Sequence, residues 1–157
     1  MEIQDGMKVC GRVYVTARDE NGDIQWEIDF PNLVTNAGFA AIASRINGSG
    51  GEAVFTAFAL GEGVTAAAAA DTALETELST SGLGRGAATV GRETTSVAND
   101  TATWDKTWTV TGSEAVTEYG ILNNTVSGGT LLTHTVQSAH NVSSGWSLQM
   151  IYKVDIS

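Results

Sequence analysis

Positive charge is scarce in this chain. Eight lysines and arginines face eighteen aspartates and glutamates across 157 residues, for a formal net charge of −10. The basic residues are scattered from Lys8 to Lys153 without a cluster, so the surface repels a phosphate backbone and no direct nucleic-acid binding is expected. Cys10 is the only cysteine, which excludes an intrachain disulfide and, with it, a secreted disulfide scaffold. Pro31 is the only proline, and no proline-rich linker divides the chain. No apolar run approaches the roughly 20 residues of a spanning helix. The start, MEIQDGMKVC, lacks the basic-then-apolar order of a signal peptide. The expectation is a protein made in the cytoplasm, with no membrane partner.

Apolar residues make up 42% of the chain and charged residues only 17%, so threonine and serine supply much of the polar surface. That balance suits strands with uncharged outer faces. The length allows burial of about 70% of the unfolded surface, enough for one core without a metal or disulfide. The strongest pattern lies at the C-terminal end. Trp146, Leu148, Met150, Tyr152, Val154 and Ile156 alternate with Ser147, Gln149, Lys153 and Asp155, Ile151 being the one exception. A period of two over that distance predicts a strand with one buried face.

Similar reasoning predicts strands over 8–17 and 24–30, joined at Asn21-Gly22, a pair that accepts the positive φ of a tight turn. Asn36 is the expected N-cap of a helix whose apolar stripe is Phe39, Ile42, Ala43 and Ile46 and whose stop is Asn47-Gly48. The apolar run 53–60 predicts a strand buried on both faces. Thr72-x-x-Glu75 resembles a capping box opening a second short helix. Further strands are expected over 85–97, 101–110, 116–122, 130–136 and from Trp146 onward. The predicted fold is mainly β: an antiparallel β-sandwich, jelly-roll-like, with about eight strands and one or two short helices. Residues 8–157 form its single domain, and 1–7 a flexible N-terminal arm free to reach a neighbour.

Candidate chemistry is thin. Gly61-Glu62-Gly63-Val64-Thr65-Ala66 matches half of a dinucleotide fingerprint, but no parallel second strand follows and Glu62 would oppose phosphates, so a structural turn is expected. Asp19-x-Asn21-x-Asp23 begins like a calcium loop. Ile24 then stands where the loop needs glycine and Phe30 where it needs a bidentate glutamate, which makes it a hairpin tip. His134 is expected as a hydrogen-bonded core or interface residue on one face with Leu132 and Val136, and His140 in a polar loop. Trp104 and Trp108 share a face with Ala102 and Val110, which favours core over a sugar-stacking platform. The pairs Glu75 with Glu77 and Glu114 with Glu118 show no sign of the shared cleft that glycosidase chemistry needs. No catalytic, cofactor or metal residues are assigned, and the chain does not read as an enzyme.

The order of segments carries a resemblance. Asn32-Leu33-Val34-Thr35-Asn36-Ala37-Gly38 opens the helix, Ala59-Leu60-Gly61-Glu62-Gly63 follows a strand, and Asp71-Thr72-Ala73-Leu74-Glu75-Thr76-Glu77-Leu78 precedes an arginine strand. Thr117-Glu118-Tyr119-Gly120-Ile121-Leu122 and Gly128-Gly129-Thr130-Leu131-Leu132 come next. Together these resemble small virion structural proteins of tailed bacteriophages, found among capsid-decorating and tail-fibre-like components. The similarity spans most of residues 8–157, with Ala66 to Ala70 standing where a proline is expected. It implies a capsid decoration (cement) protein, located in the virion and made in the host bacterial cytoplasm. Its partners would be the major capsid protein and copies of itself, as a trimer or dimer. A tail-fibre, baseplate or neck subunit, or a receptor- or carbohydrate-binding module of the tail, is the alternative. The family brings no catalytic residues.

Overall fold

The structure, a computed structural model, describes residue 6 and residues 8–156. The expected arm at 1–7 lies outside them except for Gly6, as does Ser157.

Alternation along the chain becomes strands wherever it was read. Strands β1 (Val9–Arg18) and β2 (Ile24–Pro31) form the first hairpin, turning at Gly22 with φ 87°. After β3 (Leu33–Val34) and α1 (Asn36–Asn47) come β4 (Ala57–Gly61), β5 (Gly86–Ala87), β6 (Thr89–Glu93) and β7 (Thr101–Thr109). The chain ends in β8 (Glu114–Leu122), β9 (Leu131–Val142) and β10 (Ser147–Ile156). All pairings are antiparallel. Sheet A has the order β2-β1-β10-β7-β6 and sheet B the order β3-β9-β8-β4-β5. The described residues thus form a mainly β, sandwich-like fold with ten strands. Two more appear than expected because β3 is too short to show a period, and because 85–97 is two strands. The chain leaves sheet B after β5 and enters sheet A at β6, with the Ala88 N–H donating to Thr56 O at 2.8 Å between them.

The main core lies between the sheets. Register sets Val13 opposite Tyr152, Val15 opposite Met150 and Ala17 opposite Leu148, and all six are at most 2% exposed. Phe58, Leu60, Tyr119 and Ile121 meet them from sheet B. Sheet B is covered on its other face too. There Ala57, Ala59, Leu122 and Leu131 pack with Leu74 from the long segment that follows β4. This explains why β4 is buried at every residue, although of the expected strand over 53–60, residues 53–56 lie outside it and Ala53 and Val54 are exposed.

Helix α1 differs from expectation at both its start and its face. Thr35, not Asn36, is the N-cap: its hydroxyl accepts from the Gly38 N–H at 2.9 Å and donates to Leu131 O at 2.5 Å. The tertiary bond to β9 selects Thr35. Gly48, at φ 72°, ends the helix as read. The side turned inward is Gly38 and Ala41; of the expected stripe only Ile42 packs against the core, while Ala43 is exposed and Phe39 and Ile46 are 53% and 71% exposed. Small residues win that face because the helix lies almost on the β9 backbone. The second helix is absent. Residues 72–78 run as an irregular segment, because the Glu75 and Thr76 N–H groups are captured by a tertiary acceptor.

A Cβ on Gly38 would strike the carbonyl oxygen of Leu132 and stand 3.0 Å from its carbon, both backbone atoms that cannot turn aside. Alanine improves helix propensity by about 1 kcal/mol, yet overpacking costs about 1–3 kcal/mol. Gly38→Ala is therefore expected to lower the urea midpoint, with a net loss of up to about 2 kcal/mol. A neutral or stabilised variant would mean the helix is free to lift off β9.

Candidate functional site

The densest polar cluster sits on the outer face of sheet B, around a carboxylate in the middle of β8. Glu118 is fully buried. Its Oε2 accepts from the N–H groups of Gly63 (2.8 Å) and Thr76 (2.9 Å), and its Oε1 from the N–H of Glu75 (2.6 Å). His134 Nε2 lies 3.0 Å from the same Oε1, and His134 Nδ1 lies 2.7 Å from Asp71 Oδ2. The ring is wedged between two carboxylates with both nitrogens used. Charge-assisted bonds of this kind are the stronger class, and one buried anion here collects most of them.

Two local features build the cluster. Glu118 pairs with Val136 and Gly120 with His134 across the sheet, which sets both ionisable groups on one face. Opposite Ile121 and Leu122 the β9 register slips by one residue. That bulge breaks the alternation, so Leu132 joins the core between the sheets while His134 faces away from it. The expected shared face of Leu132 and His134 fails for that reason. Close approach then needs glycine. A Cβ on Gly63 would lie 2.6 Å from Glu118 Oε2, and one on Gly120 2.6 Å from Leu74 Cδ1.

Segment 61–80 is thereby tied down. Gly61-Glu62-Gly63 does present an N–H to an anion, but the anion is the protein's own Glu118. The turn reading holds, with a filled anion site in place of a phosphate site. Thr117 Oγ1 donates to Gly63 O at 2.6 Å, and Leu78 N–H to Leu60 O at 2.8 Å. Glu75 accepts from the Thr65 N–H (2.9 Å) and hydroxyl (2.8 Å), which hold its carboxyl below the ordinary value. Glu77 instead binds Arg85. Asp71 is also held low, first by the Ala68 N–H at 2.7 Å and then by His134.

A cavity of about 210 Å3 opens beside His134, lined by Thr65, Ala66, Asp71, Ala73 and Glu75. The Thr65 hydroxyl, the one alcohol lining it, donates to Glu75 Oε1 at 2.8 Å. No group of three or more His, Cys, Asp or Glu side chains suited to a metal occurs among the described residues. The arrangement can fasten a loop.

The other residues singled out in the sequence lie elsewhere. Asp19 accepts from the Asn21 and Asp23 N–H groups and from Gln25 Nε2, which makes the calcium-like motif a self-bonded hairpin tip. Trp104 and Trp108 are 9% and 3% exposed, and their ring N–H groups donate to Phe55 O (2.7 Å) and Gly84 O (2.9 Å). They are core, as expected. His140 lies within β9, against Trp26 at 5.0 Å between ring centroids, and not in a loop. Glu114 accepts from Ser81 Oγ at 2.5 Å, so it and Glu118 serve separate partners. The sequence offered Glu118 only as half of a carboxylate pair, and its role as a buried acceptor is what the pairing hid. Its signal was a lone acid inside the apolar run Val116 to Leu122.

Two outcomes test the cluster. Glu118→Gln sets an amide N–H2 against one of the donors that now share the carboxylate, so urea unfolding should show a loss of at least about 2 kcal/mol. Asp71 sits below the 3.8 of an ordinary aspartate in the folded state. Its contribution is complete above that value and disappears as pH falls through the folded pKa. The stability deficit of Asp71→Asn relative to wild type should therefore shrink below about pH 3.8. A deficit constant down to pH 2 would contradict the assignment.

No protein-family model, curated protein or solved structure matches the chain.

Proposed function

We propose that the chain is a structural subunit of a tailed-bacteriophage particle: a capsid decoration protein that binds across junctions of the major capsid protein and stabilises the head. The observation that carries this reading is the outward apolar stripe of α1. A helix in a self-sufficient domain turns its apolar side to the core. This one buries Gly38 and Ala41 and sets Ile42 partly against the core, but leaves Phe39 and Ile46 in water, Ile46 sharing a cavity rim with Val54 at 58% exposure. Contiguous apolar surface of that kind is covered in use by a partner.

Two further features support it. The order of segments resembles phage virion components, and the buried carboxylate of Glu118 accepts three hydrogen bonds from the chain's own backbone. The mechanism is adhesion. Each copy buries apolar and backbone groups on its neighbours, and the symmetry of a shell repeats a modest contact many times. The strongly acidic remainder of the surface keeps such a subunit off packaged nucleic acid.

Densitometry of purified particles tests the reading. Copies on the order of hundreds per particle place the protein on the head, where symmetry multiplies it. Absence from particles ends the proposal. Phe39→Asp should strip occupancy while leaving the unfolding free energy within about 0.5 kcal/mol, because the side chain is exposed.

A further inference from the structure

The sandwich is open at the end where α1 finishes. A cavity of about 530 Å3 lies there, with Trp104 and Tyr152 deep inside and Ile46, Val54, Val90 and Ile156 among its lining. Those last four are 71%, 58%, 53% and 46% exposed. Among the described residues no acid lines this cavity, and Arg45 is the one charged residue there. Like-charge repulsion between two such acidic molecules is therefore weakest here.

The same surface ends in an unprotected sheet edge. Strand β6 hydrogen-bonds to β7 on one side and has no strand on the other among the described residues. Thr89, Val90, Gly91 and Arg92 are all exposed. The opposite edge of sheet A differs. Strand β2 carries Glu27 and Asp29 and closes on Pro31, the kind of residues that block edge pairing. Strand β6 also carries charge, at Arg92 and Glu93, but of both signs and with no proline, so an antiparallel copy can meet it.

We propose that two copies of this chain pair antiparallel along β6, about a two-fold axis at Gly91, and that each copy covers the other's apolar rim. Pairing centred on Gly91 sets Val90 of one copy against Arg92 of the second, and Thr89 against Glu93, so no acid opposes an acid. The contact is isologous and closes at two copies, which leaves the outward part of the α1 stripe, around Phe39, free. Main-chain bonds supply register, and burial of the four rim side chains supplies most of the affinity.

The inference names a partner for the adhesive surface proposed above, and the two fail separately. Absence from particles leaves the dimer standing, and a monomer in solution leaves particle attachment standing. Sedimentation velocity across the micromolar range should show a concentration-dependent dimer. Val90→Glu or Ile46→Glu should weaken it at least about tenfold, the effect of losing 1.4 kcal/mol. Val126→Glu, at an 82% exposed site off this surface, should not. Circular dichroism checks that each variant is folded, and Ile46 serves if the Val90 variant is not. Hydrogen exchange of the 89–93 amides should slow as the dimer fills. A monomer throughout, a trimer, a dimer indifferent to both substitutions, or 89–93 amides that exchange as fast in the dimer as in the monomer would each overturn the proposal.

Discussion

One buried carboxylate decides whether the long segment after β4 belongs to the fold. Glu118 has lost its water entirely, and three backbone N–H groups with one imidazole nitrogen replace it. An ionised group in that position is tolerable only when such donors surround it. The dependence is mutual. Segment 62–80 forms no helix and only a single bridge, Glu77 to Gly61, and Glu118 gives the Gly63, Glu75 and Thr76 N–H groups an acceptor. Leu74 then reaches the outer face of sheet B, and the second core cluster forms under it. Without the carboxylate, the sheet would face water with Ala57, Ala59, Leu122 and Leu131.

That dependence explains what the sequence could and could not disclose. Strands β1, β2, β7 and β10 were legible because one side of sheet A is core and the other faces outward, and burial alternates as the side chains do. Sheet B was harder, since it is covered on both faces and its strands lose the period of two. Strand β9 added a bulge, which moved His134 off the face shared with Leu132. Residues 72–75 carry the local signature of a helix start, but a local preference of this size yields to four charge-assisted bonds.

The helix shows the same competition from the other side. Its stop at Gly48 follows from the left-handed conformation, a property of the residue itself, and was readable. Its N-cap and buried face were not, because Thr35 answers to Leu131 O, and Gly38 to the carbonyl of Leu132, nearly a hundred residues away. The candidate site was invisible for a related reason. Asp71, Glu118 and His134 come from three separate stretches, and the glycines that admit them look like ordinary turn residues.

The placement of β10 has a consequence for how the protein is made. It lies between β1 and β7, pairing Val9 with Ile156 on one side and Ser147 with Thr109 on the other. Every other strand of sheet A precedes it in the chain, so the inner edge of the β1–β2 hairpin stays uncovered until β10 has been made and enters the gap. Closure of that sheet therefore depends on contacts between residues as far apart as Val9 and Ile156, slow by the rule that distant contacts form late.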